Sequence, residues 1–92
     1  MKKIDALMVN EKDNVATVLK DLSEGDRINV PCGDETYAIE IVKQIPVYHK
    51  VSLKEINKGE SIIKYGEKIG EATDLIKKGE HVHSHNVVTL RG

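Results

Sequence analysis

One short pattern recurs along this chain and limits what it can fold into. Leu19-Lys20-Asp21-Leu22-Ser23-Glu24-Gly25-Asp26 is echoed by Leu53-Lys54-Glu55-Ile56-Asn57-Lys58-Gly59-Glu60, and in shorter form by Ile76-Lys77-Lys78-Gly79-Glu80. The shared unit is an apolar residue, two polar ones, a glycine and an acid. We expect each copy to be a single helical turn closed by a glycine in the left-handed conformation, after which the chain leaves as a strand. The apolar residue then plugs the core beneath the turn. One Gly in a Lys-rich turn would mean little, but three copies followed by strand-like residues predict repeated strand–turn–strand units.

The segments between the copies fit that expectation. Ile4, Ala6 and Met8 alternate with Asp5, Leu7 and Val9, a first strand bounded by Asn10–Asp13. Val15, Val18, Leu19 and Leu22 fall at helical spacing, with Asp13 or Asn14 as a cap. His49–Leu53, the strand before the second copy, argues by analogy for strand over Val15–Leu19 instead. Arg27–Val30, Thr36–Val42, Ser61–Tyr65 and Ile69–Thr73 read as further strands, separated by turns at Pro31–Glu35 and Gly66–Lys68. Ile45-Pro46 ends a strand, because proline cannot donate to a ladder. A last strand runs from Glu80 to Asn86, with Val87-Val88 as its extension. The prediction is an all-β domain with short helical turns, compact and irregular.

A chain of 92 residues makes one small domain, taken as residues 1–92. Such a chain buries roughly 60–65% of the surface its unfolded form exposes. Phe and Trp are absent, so the core must be Val, Ile and Leu with Tyr at its margins. The 14 basic and 15 acidic residues are interspersed, without the basic stripe that nucleic-acid binding requires. Met-Lys-Lys lacks the apolar run of a signal peptide and nothing approaches a membrane span. The single cysteine, Cys32, cannot form an internal disulfide, which fits a reducing cytoplasm, and we read it as structural.

Chemistry concentrates at the far end. Three of the four histidines stand in His81-Val82-His83-Ser84-His85-Asn86 at strict alternation. In an extended strand they would line one face about 7 Å apart, a ligand row for a divalent metal or, if protonated, for an anion. The alternatives are an exposed polar strand face and an expression tag, although tags are runs of consecutive His.

Four blocks in order carry a resemblance. They are Val47-Tyr48-His49-Lys50-Val51-Ser52-Leu53, Ile56-Asn57-Lys58-Gly59-Glu60, Ile63-Lys64-Tyr65-Gly66-Glu67-Lys68-Ile69-Gly70 and Gly79-Glu80-His81-Val82-His83-Ser84-His85-Asn86. Together they resemble the N-terminal domain of the altronate dehydratase / galactarate dehydratase family, a SAF domain of the β-clip fold. The small subunit of sulfolactate sulfo-lyase is similar to the same degree. The resemblance implies a lyase that removes water or sulfite from a sugar acid or hydroxy acid, using iron (Fe2+) or another divalent metal such as Mn2+ or Zn2+. It also implies a much larger domain or subunit. Since this chain stops at Gly92, where the family continues, a separate large catalytic lyase subunit is the expected partner. Tyr48 departs from the family pattern, which has a small residue, often Gly, before the histidine.

The resemblance directs attention to particular side chains. Elimination β to a carboxylate needs a base, an acid and positive charge on the carboxylate. His83 and His85, then His81, are the expected metal ligands, since neutral imidazole suits iron, zinc and manganese. Three histidines of one strand cannot all reach one ion without a bend or a partner chain. Two from this strand with the rest from elsewhere is the more realistic set. His49 and Lys50 form a second corner, expected to be catalytic or to bind the carboxylate, unless His49 joins the metal; the alternative for Lys50 is a solvated edge residue. Asn86 and Tyr65 are the candidate substrate contacts, with a core margin as the other place for Tyr65. Gly66 and Gly70 read as turn glycines. Two functions remain: the small subunit of a two-subunit hydro-lyase, and a stand-alone module holding a metal or small anion. Self-association through edge strands fits either.

Overall fold

The computed structural model describes residues 4–89. Among them there is no helix. The strands are β1 (Ala6–Leu7), β2 (Val15–Val18), β3 (Arg27–Cys32), β4 (Glu35–Glu40), β5 (Lys50–Ser52), β6 (Ser61–Lys64), β7 (Glu67–Ala72), β8 (His81–Val82) and β9 (Val87–Thr89). All pairings are antiparallel. They form a central sheet β1-β2-β5-β8, the hairpin β3-β4, and a second sheet β6-β7-β9. The domain is all-β, as a small β-clip requires. Val15–Val18 forms a strand and Leu19 lies just beyond its end, exposed, so the helical spacing there is coincidental.

Strand alternation explains how so small a chain builds its interior. Ala6, Ala16, Val18 and Val51 of the central sheet pack with Ile28, Val30 and Ile39 of the β3-β4 hairpin. Val15 and Val82, at positions of opposite parity, pack instead with Ile62 and Ala72 of the second sheet. Each face of the central sheet therefore carries its own aliphatic core. The ends of β2 and β6 are tied by buried Asn14, whose amide donates to Ser61 O (2.8 Å) and accepts from Ile63 N (2.7 Å).

The repeated pattern proves to be a corner, and its geometry corrects the helical reading. Asp26, Glu60 and Glu80 N–H groups donate to the carbonyls of Ser23, Asn57 and Lys77, each at 3.0 Å, three residues back. Gly25, Gly59 and Gly79 sit third in their turns with φ of 89°, 88° and 87°. A left-handed third residue makes a four-residue β-turn and reverses the chain before a second helical bond can form. The acid then closes the corner. The carboxylates of Asp26, Glu60 and Glu80 accept the N–H groups of Ser23 (2.8 Å), Asn57 (2.7 Å) and Lys77 (3.0 Å). The apolar residues before the turns are buried and pair through bridges, Ile56 with Ile76 and Leu22 with Ile45.

Ile45 reveals a fourth corner that the pattern did not announce. His49 N–H donates to Pro46 O (3.1 Å), and Tyr48, at φ 69°, stands in the glycine's place. Its outward bonds match those of the other corners. Tyr48 N–H donates to Val18 O and Val18 N–H to His49 O, as Gly25 and Asp26 do with Ile41, Gly59 and Glu60 with Ala72, and Gly79 and Glu80 with Ser52. The unexpected Tyr48 is thus accommodated by a left-handed backbone.

Candidate metal centre

The last predicted strand is the main departure from the sequence reading. It ends at Val82, and residues 83–86 form a turn before β9 joins a different sheet. Asn86 makes that turn. Its side chain accepts His83 N–H (3.0 Å) and donates to His81 O (2.9 Å), while its own N–H donates to His83 O (3.1 Å). An asparagine able to bond two backbone groups at once competes successfully with a strand ladder. The three histidines therefore do not form a flat row.

The bend folds two of them onto a third from elsewhere. Register in the central sheet pairs Val51 with His81 and Lys50 with Val82, bringing the fourth corner beside β8. His49 Nδ1 lies 2.9 Å from His81 Nε2. The His49 and His83 rings stack with centroids 4.1 Å apart, and those of His81 and His83 stack at 5.6 Å. One ligand nitrogen from each of His49, His81 and His83 lies within 4.8 Å of the others. His85 stays outside this set, its ring tilted against that of His81 at 5.0 Å. Nitrogens that share one divalent ion lie roughly 3 Å apart, given bonds of about 2.0–2.1 Å. The donor chemistry of the trio fits such an ion, with modest closure of its widest pair.

The electrostatics keep the His81 and His83 rings available. His81 is pushed down to about 4, first by removal from solvent, then by the neighbouring His85, His49, His83 and Lys50. His83 is lowered as well, by desolvation first and then by His49, Lys50 and His85. Both are neutral imidazoles at physiological pH, the form that ligates metal or accepts a proton. Lys50 is lowered too, chiefly by burial and secondly by Lys64. The Lys64 ammonium sits 4.9 Å from the Tyr65 ring centroid.

Beside the trio opens a groove of about 410 Å³ lined by Lys50, Ile69, His83, Ser84, Val87, Val88 and Thr89. Lys50 reaches it because its side chain shares the face of Val82, toward the second core. Thr17 lies directly across the strands from Lys50, and its hydroxyl is buried without a partner among the described residues. Asn86, expected at the substrate, is itself buried, with its amide engaged as above. Tyr65 lies at the β6-β7 tip, half exposed at φ 55°, beside Gly66, whose N–H donates to Asp13 (2.7 Å). Sequence reasoning missed the groove's apolar wall of Ile69, Val87 and Val88, which carries no signal beyond ordinary strand composition. No helix among the described residues is long and apolar enough to cross a membrane.

Comparison with known proteins supplies the context. The chain is 36% identical over 83 residues to the altronate dehydratase of Bacillus subtilis, and 37% identical over 83 residues to that of Escherichia coli; each match covers 90% of this chain. The chain spans only 16% of the length of either enzyme. It is also similar to the (2R)-sulfolactate sulfo-lyase subunit alpha of Chromohalobacter salexigens, with 41% identity over 58 residues, 63% of this chain and 62% of that subunit. A family model, the altronate/galactarate dehydratase SAF domain, matches residues 4–90. With nearly the whole chain covered, this protein belongs to the altronate/galactarate dehydratase SAF domain family.

Proposed function

We propose that this domain is the small subunit of a two-subunit carbon–oxygen lyase acting on a sugar acid or hydroxy acid. It supplies imidazoles to a metal and substrate site shared with a large catalytic subunit. The observation that carries the reading is the meeting of His49, His81 and His83 from two separate chain segments, beside a groove holding Lys50. Similarity to a lyase subunit named alpha supports the two-subunit form, since that name belongs to a multi-subunit enzyme.

Elimination from such a substrate divides into tasks that these side chains can share. Lys50 faces the groove partly desolvated and, secondarily, repelled by Lys64, so an incoming carboxylate offsets both effects as it binds. His83 on the groove wall and His81 stacked against it, both held neutral, offer nitrogen lone pairs. While no ion is bound, a proton between His49 Nδ1 and His81 Nε2, 2.9 Å apart, joins the two rings, and it must leave when both become ligands. A divalent ion, iron or else manganese or zinc, would be held by His49, His81 and His83 and would polarise a substrate oxygen as a Lewis acid. The groove's apolar wall excludes water on one side only, and the remaining walls come from the large subunit.

Gentle native co-purification followed by a dehydration or desulfonation assay tests this. The expected result is a stoichiometric lyase-like partner, activity in the complex, none in the chain alone, and loss of the complex's activity in His83→Ala. Recovery of the chain alone at all salt concentrations, still binding metal or a small anion, would favour a stand-alone binding module. Turnover by the isolated chain would overturn the shared-site reading.

A further inference from the structure

Four corners share one backbone geometry, yet only one of them places its own fourth residue in the histidine cluster. In the other three, an acid in the fourth position is occupied in accepting the N–H of the first residue, at 2.8 Å in Ser23, 2.7 Å in Asn57 and 3.0 Å in Lys77. In the corner at residues 46–49 the first residue is Pro46, which has no N–H to satisfy. The fourth residue, His49, occupies the acid's position, and its Nδ1 points instead to His81 Nε2 at 2.9 Å. An imidazole nitrogen can accept a backbone N–H as a carboxylate oxygen does. Any other residue at position 46 would offer His49 a local partner competing with the cluster. The second turn residue does not compete, because Val47 N–H donates to Asp21 (2.8 Å).

We propose that Pro46 is a positioning residue for His49: by deleting the one donor that the equivalent corners satisfy with their fourth side chain, it frees the imidazole to join His81 and His83. Two supports hold the freed side chain. Its backbone is fixed by the bonds to Pro46 and Val18, and its ring is stacked on His83. The corner has the backbone of the structural turns, but its fourth residue serves the site instead of closing the turn. This inference rests on the reading of the cluster as a ligand set.

The test uses Pro46→Ala in the full chain, with zinc as the probe and imidazole 15N spectra of the metal-free protein as a second readout. In the parent, the spectra should show a hydrogen bond joining His49 Nδ1 and His81 Nε2. Pro46→Ala should lose it, His49 Nδ1 accepting the backbone N–H newly present at position 46, and zinc affinity should fall by about 10- to 100-fold, the range for residues that orient ligands. A second pair of variants tests the equivalence of the corners. His49→Asp alone leaves its carboxylate without the turn donor, whereas adding Pro46→Ala restores that donor. The double variant should therefore melt several degrees above the single one. If Pro46→Ala keeps both the parent's His49 signals and its zinc affinity, the proposal is wrong. Should the parent bind no zinc, the ligand-set reading fails on its own, and the imidazole spectra and the melting comparison still decide the role of Pro46.

Discussion

At the scale of the residue, the histidines at the cluster are chemically unequal. His81 resists protonation until about 4 in the folded chain, against an ordinary 6.5, because burial and the neighbouring His85, His49 and His83 all disfavour its charge. The unfolded chain takes up that proton near 6.5, so between 6.5 and about 4 it binds more protons than the native state. The contribution of His81 to stability is therefore complete above 6.5 and declines as pH falls toward 4. Urea midpoints of the metal-free chain at pH 7.5 and at pH 5 check this. The parent should lose stability on acidification, and His81→Gln should lose measurably less. Equal losses would mean that His81 does not resist protonation. The alternation of His81, His83 and His85 was plain in the sequence, but its meaning was not. Asn86 turns the chain by bonding to two backbone groups upstream of it, at His81 and His83, and a polar Asn after alternating residues looks the same in a strand. The nearness of His49 was equally hidden, since it depends on the β5–β8 register rather than on anything local.

At the scale of the element, the corner is the unit from which the domain is assembled, and equivalent corners differ in what surrounds them. A Cβ added at Gly25 meets nothing within 4 Å, whereas one added at Gly79 collides with the carbonyl oxygen of Glu40, which passes directly over that corner. Gly25→Ala should therefore cost only the left-handed backbone penalty, roughly 1–2 kcal/mol. Gly79→Ala adds a clash with backbone and should exceed the ~3 kcal/mol upper end of ordinary substitutions. Denaturant midpoints of the two variants measure the difference, and equal costs would mean that the Glu40 strand yields easily. Three corners were legible because glycine and an acid leave a mark in the sequence. The fourth was not, because Pro46, Tyr48 and His49 meet the same backbone demands with none of the same residue types. Strand boundaries shifted for related reasons. Pro31 and Cys32 belong to β3 rather than to a turn, because the reversal is made by Gly33 at φ 60° alone with Asp34.

At the scale of the whole molecule, the all-β architecture follows from the recurrence of the corner, and the aliphatic composition is what lets two thin cores form in so short a chain. Neither the division into two cores nor the groove beside the histidines could be read from composition, since both depend on which face each strand turns to which neighbour. The division has a consequence for how the domain comes apart. Two separate cores would ordinarily give two melting units, one able to open while the other stays closed. Here β2 places Val15 in one core and Ala16 and Val18 in the other, and β5 and β8 are bonded to it through the same sheet. Opening either core strips one face from strands that the other core needs. Amide hydrogen exchange should accordingly give β3 and β7, which belong to different cores, the same slowest opening free energy, and a gap between them would show that the shared sheet does not couple the halves. A ligand held by His49 and His81 would then stiffen the molecule on both sides of the sheet at once, because it would fasten the one layer that neither half can do without.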